Sequence, residues 1–179
     1  INSWWHQCIS DGLTPILAAY GLGKAQRLIA GLDTNIGPIL THGAIENTNQ
    51  IMRDQKIAIP ETFLINSKLD LANFKNAIVL APPSALSTSW VKKFGKISTG
   101  YASGWMAIRG IKRRRAADKG FVISDHADWN GLNLAIKETE AEKIFVTHGY
   151  TDSFSKWLQF KGLNASVVKT EFTTTEDDI

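Results

Sequence analysis

A chain of 179 residues, 44% hydrophobic and 21% charged, is long enough for one good core or two small ones and has the make-up of a globular protein. It holds no apolar stretch long enough to span a bilayer, and its one cysteine, Cys8, excludes an intrachain disulfide or a cysteine zinc cage and fits a cytoplasmic location. The net charge of +3 is uneven: residues 173–179 carry Glu176, Asp177 and Asp178 with nothing basic, so the rest of the chain is more basic than the total and suits a polyanionic partner.

Residues 1–10 are predicted as a helix with Trp4, Trp5, Cys8 and Ile9 on one side, broken at Gly12. Residues 15–20 read as an apolar strand running into Gly21-Leu22-Gly23-Lys24 and a helix with Ala25, Leu28, Ile29 and Leu32 inward. A strand, a glycine turn and a helix start gather backbone N–H groups, which makes Lys24 a candidate phosphate contact. The spacing is neither a Walker A loop nor a dinucleotide fingerprint, and a plain tight turn explains the residues equally well. The alternation continues with a strand over 38–41 ending at His42-Gly43, then a helix to about residue 55 with Ile45, Ile51 and Met52 apolar. Further strands are predicted over 62–65, over 77–81 where Pro82-Pro83 stops the run, and over 98–102 leading into Ser103-Gly104-Trp105, with a helical turn inside 69–76. This rhythm predicts an α/β fold with a doubly wound, mostly parallel sheet.

Residues 107–119 break the rhythm with Arg109, Lys112, Arg113, Arg114, Arg115 and Lys119 and few apolar side chains, and are the expected join between two substructures. The run Arg113-Arg114-Arg115 suits phosphates, because guanidinium forks match them, or equally a solvated face.

Beyond the join, Phe121, Val122 and Ile123 read as a strand, Asp128 as the cap of a helix carrying Trp129, Leu132, Ala135 and Ile136, and Ile144, Phe145 and Val146 as a second strand. Strand, helix, strand at this length predicts a parallel βαβ unit, whose strands would deliver His126 and His148 to the rim where open α/β sheets place ligands. Ser124, Asp125, Asp128 and Thr147 add polar groups around them. Imidazole can ligate zinc or manganese, or protonate a leaving oxygen near neutral pH; two histidines do not complete a metal site, and no His-x-His motif supplies the rest. Asp152 is the expected cap of a helix carrying Phe154, Trp157, Leu158 and Phe160, followed by a last strand over 165–168. His6 and His42 read as structural, and most of the six tryptophans as core; Trp105, in its glycine-flanked loop, is the exception placed to stack on a base.

Ser-Asp-His-Ala-Asp at 124–128 resembles the Ser-x-His-Ala-Asp signature of metallo-β-lactamase-fold nucleases with the β-CASP insertion, and Val146-Thr147-His148-Gly149 resembles the strand-end histidine motif that follows it. The glycine-rich stretch 100–110 and the proline loop after Leu80 are similar to supporting motifs of that group. The branch most similar is that of bacterial exonucleases associated with ATP-dependent DNA ligase, also labelled mRNA 3′-end processing factors. The resemblance implies an inserted β-CASP-type α/β domain over residues 1–110 and the C-terminal βαβ part of a metallo-β-lactamase fold over 111–179. It implies that His148 is a ligand of a two-zinc site and that His126, with Asp128, is catalytic, His126 being the candidate acid for the leaving oxygen. It implies that Ser124 and Ala127 bind phosphate, and that Ser103 and Gly104 face the nucleic-acid backbone. It also implies a metal-dependent nuclease acting on DNA or RNA, an exonuclease in repair or processing. The remaining metal-binding motifs would precede Ile1, so the chain is expected to be a piece of a longer protein, completed by that N-terminal segment and inactive without it. A non-catalytic α/β module that binds a nucleotide or nucleic acid, and a small-molecule hydrolase on the same fold, stand as the alternatives.

Overall fold

The computed structural model describes residues 1–107 and 117–168. The chain divides into two compact units, Ile1–Asp125 and His126–Ile179. In the first, β1 (Thr14–Ala18), β2 (Ile39–Thr41), β3 (Phe63–Leu64), β4 (Ile78–Ala81), β5 (Ile97–Ala102) and β6 (Lys119–Phe121) form one sheet in the order β3-β2-β4-β1-β5-β6. Every neighbouring pair is parallel. This is the α/β sheet that the sequence predicts.

The central strands are apolar from Pro15 to Ala18 and from Ile78 to Ala81 because both faces are covered there, as a parallel sheet requires. Alternate residues go to opposite faces. Ile39, Leu17, Ile78 and Leu80 pack with Trp5 of α1 (Asn2–Ser10), Ala25, Leu28 and Ile29 of α2 (Lys24–Ala30), and Ile45 of α3 (Gly43–Asp54). Leu40, Ile16, Val79 and Ala81 pack instead with Ala85 of α4 (Pro83–Leu86) and with Phe94. Pro83 opens α4 where its missing N–H would have had no helical partner. Two tryptophans seat α1: Trp5 is fully buried and donates Nε1–H to the Asn76 carbonyl at 2.8 Å. Trp4 meets the Phe121 ring edge-on at 5.4 Å and lies against Gly100, where a Cβ would come within 2.8 Å of its indole. Only glycine fits under that ring.

Helix α3 departs from the predicted apolar stripe: Ile45 is buried, but Ile51 is 62% exposed. The inward position is taken by Asn49, fully buried in a polar network. Its amide donates to Thr62 Oγ1 (3.2 Å) and Glu46 Oε2 (3.1 Å), and its carbonyl oxygen accepts from Gln26 of α2 (2.9 Å). Glu46 also accepts from the Thr41 and Thr62 hydroxyls at 2.6 Å each and pairs with Arg53 at 2.7 Å. Burial by itself would raise the Glu46 pKa; the donors Thr41, Thr62, Arg53 and Asn49 outweigh it and hold the carboxyl below the usual range.

The second unit holds α5 (Trp129–Thr139), β7 (Ile144–Val146), α6 (Thr151–Phe160) and β8 (Ala165–Val167). β7 and β8 pair in parallel, with α6 as their connection. The buried centre is Val146, Leu158 and Ala165, flanked by Ile136, Ile144, Phe154 and Trp157.

Here the topology corrects the sequence reading. Residues 121–123 were expected to share a parallel sheet with β7 through α5. The strand lies instead at Lys119–Phe121 and hydrogen-bonds to β5, with Gly100, Tyr101 and Ala102 opposite Lys119, Gly120 and Phe121. The partner of β7 is β8, so the βαβ unit is β7-α6-β8. Pairing with β5 fixes the strand's register: Asp118 Oδ2 accepts from the Thr99 backbone N–H (2.7 Å) and hydroxyl (2.9 Å), which seats the strand's first residues against β5. Consequently β6 belongs to the first unit, which runs to Asp125. Two helix details also differ. Asp152 sits in the first turn of α6 and Tyr150 occupies the cap without a side-chain hydrogen bond, while Phe160, expected inward, is 80% exposed. Arg109, Lys112, Arg113, Arg114 and Arg115 lie outside the described residues.

Candidate functional site

Parallel strands end on one edge, and the neighbours β1, β5 and β6 each run into a loop there. After β1 comes Tyr20-Gly21-Leu22-Gly23 and the start of α2; after β5 comes Ser103-Gly104; after β6 comes Val122 to Asp125. The last two loops touch. A Cβ on Gly104 would lie 3.4 Å from Ser124 Cβ and 3.7 Å from its hydroxyl, ordinary van der Waals distances that put the two loops side by side. Ser103 is buried, its N–H donates to the Phe121 carbonyl (3.0 Å), and its hydroxyl accepts from Trp105 N–H (3.3 Å). Trp105 is 38% exposed beside it, although Trp129 of α5 is more exposed still, at 50%. Ser103, Gly104 and Ser124 therefore form one patch.

The first loop reaches the same place. Lys24 is buried, and its Nζ lies 3.1 Å from Asp125 Oδ1. The ammonium also sits 5.3 Å from the centroid of the Tyr20 ring. Arg27, one turn on, donates from Nη1 to the Ser124 carbonyl. Gly23, at φ +80°, adopts a backbone that glycine tolerates, and a Cβ there would stand 3.3 Å from Asp125 Oδ2. The glycine turn is thus shaped around a carboxylate of the chain itself.

In the second unit, His126, Ala127 and Asp128 are exposed. Asp128 is the N-cap of α5, as its sequence position predicts: Oδ1 accepts from Gly131 N–H at 2.7 Å. His148 is exposed just beyond β7, ahead of Gly149 at φ +76°. Since β6 and β7 lie in different sheets, no shared rim brings His126 and His148 together. Among the described residues, no group of three His, Cys, Asp or Glu side chains could hold a metal ion. These residues do not themselves compose a zinc site.

His42 has a structural role. His42 caps α3, its Nδ1 accepting from Ala44 N–H at 3.1 Å, and its ring meets Trp90 at 5.1 Å. Burial, helped by the Lys93 charge, pushes its pKa down, so the neutral ring is the capping form. His6 is exposed on α1.

Sequence reasoning missed the pairing of Lys24 and Arg27 with residues 124–125. The available signal was opposite charge: a cation after one strand and a carboxylate after another, both on the edge where parallel strands end.

No family model matches the chain, and no solved structure matches it. Over 165 residues it is 27% identical to a protein of Opitutus terrae described as a probable DNA ligase. The matched region is 92% of this chain and 16% of that protein, so the chain spans about a sixth of the curated relative's length. Among the described residues, no helix is long and apolar enough to cross a membrane.

Proposed function

We propose that this chain is part of an enzyme of DNA metabolism, and more finely part of a metal-dependent nuclease of the β-CASP metallo-β-lactamase type, an exonuclease in nucleic-acid repair or processing. The observation that carries the reading is the apposition of Ser103-Gly104 and Ser124 at the carboxyl edge of β5 and β6. Two loops far apart in sequence, each similar to a phosphate-facing motif of those nucleases, meet where open α/β sheets bind ligands. The DNA ligase named in the relative's description supports a DNA substrate over RNA.

In this reading Ser124, Ala127, Ser103 and Gly104 receive the nucleic-acid backbone, with Arg113, Arg114 and Arg115 contributing charge. His126 gives a proton to the leaving sugar oxygen, and Asp128, as cap of α5, orients the turn that carries it. His148 is offered as one zinc ligand.

The test uses the full-length protein with end-labelled DNA and RNA. His126→Ala and His148→Ala should each lower cleavage about 100-fold or more while leaving the circular dichroism spectrum intact. His148→Ala should also reduce bound zinc. Unchanged turnover in both variants would remove the nuclease assignment. Salt-sensitive nucleic-acid binding without cleavage by the wild-type protein would put a pure binding module in its place.

A further inference from the structure

We propose that Lys24 and Arg27 are positioning residues, which hold the Ser124-Asp125 turn and thereby set where His126 stands. The proposal rests on the nuclease reading for its consequence, but not for its geometry. Three contacts converge on two residues. Lys24 Nζ pairs with Asp125 Oδ1 at 3.1 Å, with the Lys24 side chain only 7% exposed and that of Asp125 26%. Arg27 Nη1 bonds the Ser124 carbonyl, fixing the backbone rather than a side chain. Gly23 leaves room for the second carboxylate oxygen, 3.3 Å from where a Cβ would stand.

An ammonium buried this far needs a partner, and removing the Asp125 carboxylate would leave Lys24 without this ion pair in a poorly solvated place. The pair is therefore a committed contact. Asp125 is covalently next to His126, and three residues on Asp128 is tied to Gly131 N–H at 2.7 Å. In sequence the histidine follows directly on the residue that Lys24 of α2 holds. An acid catalyst displaced by about 1 Å loses on the order of 100-fold in rate, so such anchoring affects turnover directly. In this role Lys24 serves the protein's own carboxylate, in place of the direct phosphate contact expected from its position after Gly21-Leu22-Gly23.

The test compares full-length wild type with Lys24→Gln, Lys24→Arg and Arg27→Gln, using steady-state cleavage of a DNA oligonucleotide and amide hydrogen exchange. Lys24→Gln should lower kcat about 10- to 100-fold with KM changed less than about threefold, and should speed exchange at residues 122–128. Arg27→Gln should act in the same direction with a smaller effect. Lys24→Arg, which keeps the charge, should recover most of the lost rate and protection. A raised KM with kcat and exchange unaltered would overturn the proposal and return Lys24 to the substrate. If wild type cleaves no nucleic acid, the nuclease reading fails alone. Exchange then decides: faster opening of 122–128 in Lys24→Gln supports the anchor, and unaltered opening overturns it.

Discussion

The two units use the same device, parallel strands joined through helices, with opposite completeness. In Ile1–Asp125, a six-stranded sheet is covered on both faces at its centre, and the side chains of β1 and β4 from Ile16 to Ala18 and Ile78 to Ala81 are at most 1% exposed. Among the described residues of His126–Ile179, two strands carry a centre of three buried apolar residues, and Trp129, Leu134, Phe145 and Phe160 are each at least half exposed. A two-stranded sheet with one small core is marginal by itself, whereas a six-stranded sheet with two filled layers is self-sufficient. The difference teaches that local pairing rules shape both units alike, but stability follows the number of covered layers.

Core truncation gives the largest expected effect and the sharpest way to break the comparison. Trp5→Ala should destabilise the first unit by about 3–5 kcal/mol, and Leu158→Ala the second by about 2–5 kcal/mol. Hydrogen exchange checks where the loss falls: Trp5→Ala should speed exchange in β1 and β4, and Leu158→Ala in β7 and β8. If either substitution loosens the whole chain equally, the units behave as one cooperative body and the contrast is wrong.

Acid should act on the first unit next. The Glu46 carboxyl has a lower pKa folded than unfolded, because its four donors outweigh burial. The stability it adds is present in full above the unfolded value and fades as pH falls through the folded one, so the loss begins below about pH 4. At pH 7, Glu46→Gln should cost about 1–3 kcal/mol, since Arg53 and the buried donors lose an ionised acceptor. Thermal melts from pH 7 to pH 3 should show the gap between variant and wild type closing with acidification. A gap constant across that range would mean that the network holds Glu46 through shape alone.

The smallest effect belongs to the second unit's entry. Asp128→Ala should destabilise α5 by about 1 kcal/mol, read as faster exchange in its first turn. Asp128→Ser should restore most of that, because a hydroxyl can accept from Gly131 in the same way.

The sheet was largely legible because burial on both faces writes continuous apolar runs such as Pro15 to Ala19 and Ile78 to Ala81. Helix α2 was legible from its inward positions Ala25, Leu28 and Ile29, and the α5 cap from Asp128. Strand partnership was not. Nothing in the apolar run after Gly120 states that its neighbour is β5; Asp118 reaching Thr99 is a long-range fact, and the shift to Lys119–Phe121 follows from it. Asn49 was invisible for a related reason, because apolar periodicity gives no sign of a buried amide satisfied by Gln26, Glu46 and Thr62. Within the candidate site, Ser103-Gly104 and Ser124 were legible as separate motifs. The contact of Lys24 and Arg27 with 124–125 was not, since it depends on which strand ends are neighbours.

Cys8 closes the comparison with a practical consequence. It is 2% exposed on α1, and burial raises its thiol pKa despite a hydrogen bond with Ser98. Because it is the chain's sole sulfhydryl, a thiol reagent has one target, and that target reacts only when α1 lifts. The colour change of such a reagent then works as a clock native to this polypeptide, timing how often the larger unit breathes without any introduced probe.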